Sequence, residues 1–173
     1  MRDASRMEAA PLHLRAIHPD DHAGVLALNA GSVEQLSALD HAALDALLAE
    51  AAVALVAACD DRVAGFVIAL REGAGYGSPN YRWFASRYPH FLYVDRVVVD
   101  ATYRGAGVGR ALYAAVFDRA RRDGVAHVAC EYDIEPPNPA SARFHAAHGF
   151  REVGTQVLGA GKRVSLQMAR LGA

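Results

Sequence analysis

The sequence contains no apolar run near the roughly 18 residues a membrane-spanning helix needs. Neither charge sign is in excess: 18 basic side chains face 19 acidic ones, for a net charge of −1. That balance excludes the strong basic footprint of a dedicated nucleic-acid binder. Cysteine is scarce. Cys59 and Cys130 both sit in apolar, strand-like runs with no metal-ligand spacing, and read as buried free thiols in a reducing compartment. Met1 to Ala10 lack the apolar stretch of a secretory signal. They read as a disordered leader ahead of one domain over residues 11–173, and the expected location is cytoplasmic. The Gly-Lys-Ser/Thr of a nucleotide P-loop is missing as well.

What remains is an ordinary globular composition, 53% hydrophobic and 21% charged, in 173 residues. That length suffices for one well-buried domain. Leu12 to Ile17 alternates apolar and polar residues and reads as a strand. Pro19 opens a helix over Asp20 to Leu28, and Val33 to Ala52 reads as two helical pieces broken near Asp40. Val53 to Ala58 and Val63 to Leu70 form a hairpin around Cys59-Asp60-Asp61-Arg62. Arg71 to His90 reads as a long aromatic loop, too ring-rich for disorder. Phe91 to Val99 is a strand, Val108 to Arg122 a helix closed by Gly124, and Ala126 to Glu131 another strand. Asn138 to His148 forms a short helix closed by Gly149. Phe150 to Leu158 and Arg163 to Leu171 are final strands that could pair with each other or across two copies of a homodimer. The predicted class is α+β: a mixed, mostly antiparallel sheet of about seven strands with helices on both faces.

The segment Val97 to Arg110 carries the clearest chemistry. A strand runs into a turn with glycines at 105, 107 and 109, and a helix starts at once. Glycines let the backbone approach a ligand closely, and consecutive N–H groups at a helix start attract negative charge. A diphosphate suits such a site, with Arg104 and Arg110 at its rim. A dinucleotide fold would need this motif after the first strand of a βαβαβ run, whereas here it falls past mid-chain.

Downstream lies Asn138-Pro-Ala-Ser141-Ala-Arg-Phe144-His145, ending in Gly149-Phe150. With Arg104-x-x-Gly107-x-Gly109, this segment makes the chain resemble the GCN5-related N-acetyltransferase (GNAT) superfamily over about Leu12 to Leu171. The resemblance implies acetyl transfer from acetyl-CoA, as cosubstrate and without a metal, to a primary amine by direct attack in a ternary complex. It places the CoA pyrophosphate on Arg104, Gly105, Ala106, Gly107, Val108, Gly109 and Arg110. The pantetheine arm would lie along Val97, Val98 and Val99, beside Asn138, Ser141 and Phe144. The acceptor would be a small-molecule or peptide amine, against a wall of Tyr81, Trp83 and Phe84. A catalytically weak acyl-CoA-binding sensor is the competing class.

Acyl transfer also needs a base for the amine and a proton for the leaving thiolate. The family usually carries a tyrosine seven residues after the helix-starting asparagine. Here that position is His145, a group that titrates near neutrality. Asp95, two residues before Val97, and Glu131, at the end of the neighbouring strand, are the candidate bases. Asp95 alternatively pairs with Arg96 or an arginine of the turn.

Overall fold

The computed structural model describes residues 10–33 and 36–172; the leader expected over Met1 to Ala10 falls almost wholly outside them. Seven strands form one sheet in the order β1-β2-β3-β4-β5-β7-β6. They are β1 (Leu12–Ala16), β2 (Val53–Cys59), β3 (Arg62–Arg71), β4 (Leu92–Val99), β5 (His127–Glu135), β6 (Arg151–Val157) and β7 (Arg163–Arg170). The helices are α1 (His22–Ala30), α2 (His41–Glu50), α3 (Pro79–Ala85), α4 (Val108–Arg122) and α5 (Pro139–Ala147). Every strand pair is antiparallel except β4 with β5. The α+β class with about seven strands holds. The last two strands pair with each other inside one chain, from Arg151 opposite Met168 to Val157 opposite Arg163.

Apolar alternation along the strands builds two cores. One holds Val67, Leu92, Val94 and Val128 with Leu112, Tyr113 and Val116 of α4. The other gathers Val56, Phe66, Ile68, Leu70, Tyr93 and Leu166 with Val25 of α1, Leu44 of α2 and Phe84 of α3. Each fully buried side chain of this kind contributes roughly 1.5–3 kcal/mol of transfer free energy.

Two expected elements differ. The stretch before Asp40 forms no helix among its described residues, and Asp40 instead caps α2 by accepting from the Ala43 N–H at 2.8 Å. The reason lies across the fold: the Ser37 carbonyl accepts from Asn29 and Arg96, both at 3.1 Å, so its backbone serves tertiary partners. The aromatic loop is also partly helical. Ser78 and Pro79 supply the N-cap and first turn of α3.

The feature that positions the site is the parting of β4 from β5. Their parallel ladder holds only Leu92 with Val128 and Tyr93 with Ala129. Just beyond, Asp95 is the extra residue of a bulge, since Val94 faces Ala69 and Arg96 already faces Ile68. A bulge bends its strand and re-aims the side chains beside it. β4 therefore turns away from β5, which continues paired with β7. Val97, Val98 and Val99 keep partners on β3 only.

Candidate active site

The parted strands enclose a cavity of about 270 Å³, lined by Val94 to Val99 of β4, Cys130 to Asp133 of β5, and Arg104, Tyr113, Asn138, Ser141 and His145. At one end stands the glycine turn. The Asp100 carboxylate accepts from the Thr102 N–H at 2.8 Å and starts the reversal. Gly105 and Gly107 then take φ of +80° and +82°, which side chains rarely tolerate. Gly107 is the N-cap of α4 and makes no side-chain cap, so the first N–H groups of α4 have no intrahelical partner. Val108 and Gly109 begin this helix with Arg110, while Ala106 donates back to the Tyr103 carbonyl. The exposed Arg104 also lines the cavity. A Cβ at Gly109 would stand 3.2 Å from the Phe144 ring, so α4 and α5 meet closely there.

Asn138 sits at the rim as N-cap of α5, where its side chain accepts from the Ser141 N–H at 3.3 Å. His145, one turn on, is buried. Its Nδ1 lies 2.7 Å from the Ser141 carbonyl, an acceptor only, so the proton resides on Nδ1. Nε2 therefore accepts from the Tyr113 hydroxyl at 2.8 Å. Burial lowers the His145 pKa, keeping the ring neutral, and pushes the Tyr113 hydroxyl well above its ordinary range. Tyr132 stacks on the other side of His145. Phe144 does not line the cavity, and its ring packs against Tyr113 and His148.

The far end of the cavity is carboxylate-rich. Glu131 accepts from the Tyr93 hydroxyl at 2.7 Å. Loss of water, foremost, and the nearby Asp95 charge push its carboxyl up to about 8. Asp95 is differently placed. It takes the Arg96 Nε–H at 2.7 Å and the Tyr76 hydroxyl, with both members of the pair buried. Neighbours on a flat strand would face opposite ways; the bulge is what lets Asp95 and Arg96 meet.

A second cavity of about 390 Å³ opens beside this end and shares Asn80, Asp95, Glu131 and Lys162 with the first. The aromatic segment reaches it through Tyr76, Ser78 and Asn80 rather than through the three rings nominated from sequence. Tyr81 is buried and donates to the Arg71 carbonyl at 2.7 Å, Phe84 is wholly core, and the Trp83 ring packs closely against Gly154 of β6. None of the three lines either cavity, because α3 turns their faces to the sheet. The residues that sequence reasoning passed over are Tyr113, Asn80, Tyr76 and Lys162. Each comes from an element whose local pattern looks like ordinary core, loop or hairpin.

The parted strands, the glycine turn and the Asn138-capped helix all fall within a stretch that a known family model matches. The Acetyltransferase (GNAT) family matches residues 22–150. The chain belongs to this acetyltransferase family. Among curated relatives, it is 39% identical to the L-2,4-diaminobutyric acid acetyltransferase of Nocardia farcinica over 93 residues, 54% of this chain and 40% of that protein. It is 49% identical to the phosphinothricin N-acetyltransferase of Streptomyces coelicolor over 51 residues, 30% of this chain and 29% of that one. The chain thus matches less than half the length of either relative. In fold it resembles the Ard1 of Thermoplasma volcanium, with a TM-score of 0.77 and 18% identity over 94% of this chain and 99% of that one. Among the described residues no cluster of three or more His, Cys, Asp or Glu side chains could hold a metal ion. No helix there is long and apolar enough to cross a membrane.

Proposed function

We propose that this GNAT chain moves an acetyl group from acetyl-CoA to a primary amine by direct attack in a ternary complex. The observation that carries the reading is the separation of β4 from β5 beyond Tyr93 and Ala129. It leaves an extended backbone edge unpaired, with an anion-binding turn at one end and the Glu131 carboxyl at the other. The residues present fit CoA: the turn from Arg104 to Arg110 would hold the pyrophosphate. The open edge of Val97 to Val99, with Asn138 and Ser141, would hold the pantetheine amides. Acetyl-CoA supplies an activated acyl group when bound there.

The protein's own groups then have separate tasks. Glu131, pushed up to about 8, is the base that takes a proton from the acceptor ammonium, in the fraction that is ionised, which grows as pH rises toward that value. Tyr76 and Arg96 hold Asp95 in place beside Glu131. An N–H of the Val97–Val99 edge would polarise the acyl carbonyl. The proton for the departing sulfur would come from the Tyr113 hydroxyl, which must turn from His145 Nε2 toward the sulfur to deliver it. His145 thus acts through Tyr113, in place of direct donation from its own ring. The activities named for the two curated relatives, on a diamino acid and on phosphinothricin, support an amine acceptor.

Free-thiol release from acetyl-CoA against a panel of amines tests the reading, alongside thermal shifts with CoA, acetyl-CoA, NAD and ATP. We expect stabilisation by the CoA compounds and thiol release with at least one amine. Stabilisation by CoA with no thiol release across the panel would favour the sensor reading instead. The engaged Nε2 of His145, where the family usually carries a tyrosine, is the observation behind that second reading.

A further inference from the structure

The acceptor end of the cleft is balanced in charge. Asp95 is neutralised by Arg96 at 2.7 Å, and Asp133 by Lys162 at 3.2 Å. The third carboxyl, Glu131, is held by Tyr93 and largely keeps its proton at neutral pH until a cation arrives. A polyamine or other polycation would call for a surplus of negative charge, which this wall does not offer. A small zwitterion would not disturb the balance.

The two cations differ in freedom. Arg96 is locked: its guanidinium also donates to Asn29 Oδ1 at 2.9 Å and to the Ser37 carbonyl and hydroxyl at 3.1 Å, and it is 4% exposed. Lys162 is 30% exposed at its side chain, and Asp133 is its one ion-pair partner among the described residues. It borders both cavities from the turn joining β6 to β7. The backbone of that turn is pinned. The Leu158 N–H donates to the Lys162 carbonyl at 2.6 Å, and Ala160 and Gly161 adopt φ of +62° and +73°. A fixed backbone with a flexible four-carbon stem places a mobile ammonium over the cleft.

We infer that Lys162 is a specificity residue that binds an anionic group of the acceptor, so that the substrate is a small zwitterion whose amine lies at Glu131 and whose carboxylate or phosphinate lies at Lys162. This deepens the acetyltransferase reading and rests on it. The cavity beside Lys162, about 390 Å³, is in the range of small-molecule sites.

The test pairs amino acids with their decarboxylated counterparts, L-2,4-diaminobutyrate with 1,3-diaminopropane above all. Thiol release and calorimetric binding are measured on the whole chain. The wild type is expected to favour the amino acid. Lys162→Met should lower the kcat/KM ratio of amino acid to diamine by about 10- to 100-fold, as for a lost charge-assisted hydrogen bond. Lys162→Arg should retain most of the preference. Asp133→Asn, which frees Lys162, should raise the amino acid's affinity. Acetylation of the diamines with no preference for the amino acids, or an unchanged ratio in Lys162→Met, would overturn the inference while leaving the acetyltransferase reading intact. Failure of every amine in the panel would overturn both.

Discussion

The Tyr113 hydroxyl donates to His145 Nε2 across 2.8 Å and ties α4 to α5 at the floor of the cleft. The two groups lie 32 residues apart, and neither is informative alone. Because the Ser141 carbonyl fixes the His145 proton on Nδ1, the proton shared between the pair is that of the Tyr113 hydroxyl, directed at Nε2.

Tyr113→Phe and His145→Phe should therefore each lower kcat by about 10²-fold, the scale of a lost general acid. CoA affinity should stay within a few-fold. The double variant should be little worse than either single one, as for groups acting as a unit. Single-turnover kinetics on all three would check this, and multiplicative losses would show that the residues act separately.

Glu131 sets a pH dependence of opposite sign for stability and for rate. Its folded pKa of about 8 lies above the ordinary 4.5, so across that window the folded state holds a proton that the unfolded chain releases. Its contribution is full below about pH 4.5 and is lost as pH rises through about 8. Glu131→Gln should thus gain melting temperature relative to wild type as pH increases across this range. The rate should behave the other way, with wild-type kcat/KM rising toward a limb near pH 8 that the variant lacks.

Arg104 is exposed beside the glycine turn and can be reversed in charge without disturbing the core. Arg104→Glu should leave the unliganded melting temperature within about 1 °C, as for an isolated surface change. It should weaken CoA binding by at least about tenfold, or roughly 1.4 kcal/mol. Calorimetry with CoA reads this directly. Gly107→Glu should abolish CoA protection, but its φ of +82° adds strain, so Arg104→Glu is the cleaner variant.

Asp95→Asn leaves the Arg96 guanidinium buried without its counter-ion. A broken buried pair costs about 3–5 kcal/mol. Chemical denaturation should show a loss of this size, and the second change Arg96→Met should recover part of it. The rate limb should persist in Asp95→Asn but move to lower pH, because it belongs to Glu131 and the Asp95 charge helps to raise it.

Period and punctuation made much of the architecture legible. Val108 to Arg122 is amphipathic and closes before Gly124, and the structure returns the same bounds. The strands of the sheet are short apolar runs between turn residues, and six of the seven end within two residues of the reading; β5 continues from Glu131 to Glu135 because β7 pairs with it there. Helix α3 was missed because its rings outweighed the local signal of Ser78-Pro79. The stretch before Asp40 misled because its helix-forming composition yields to Arg96, which claims the Ser37 backbone.

By itself the sequence determined the α+β class, the glycine turn at the start of α4 and the Asn138 cap of α5. Each of these is written in consecutive residues, where local conformation and capping decide. Tertiary structure alone decided which carboxylate is poised and which is paired, what His145 touches, and which residues of the aromatic segment reach the cleft. Those outcomes depend on burial and on partners distant in the chain: Tyr93 for Glu131, Tyr113 for His145, and Asn29 and Ser37 for Arg96. Loss of water and the placement of charge are properties of the assembled fold, and no local pattern encodes them.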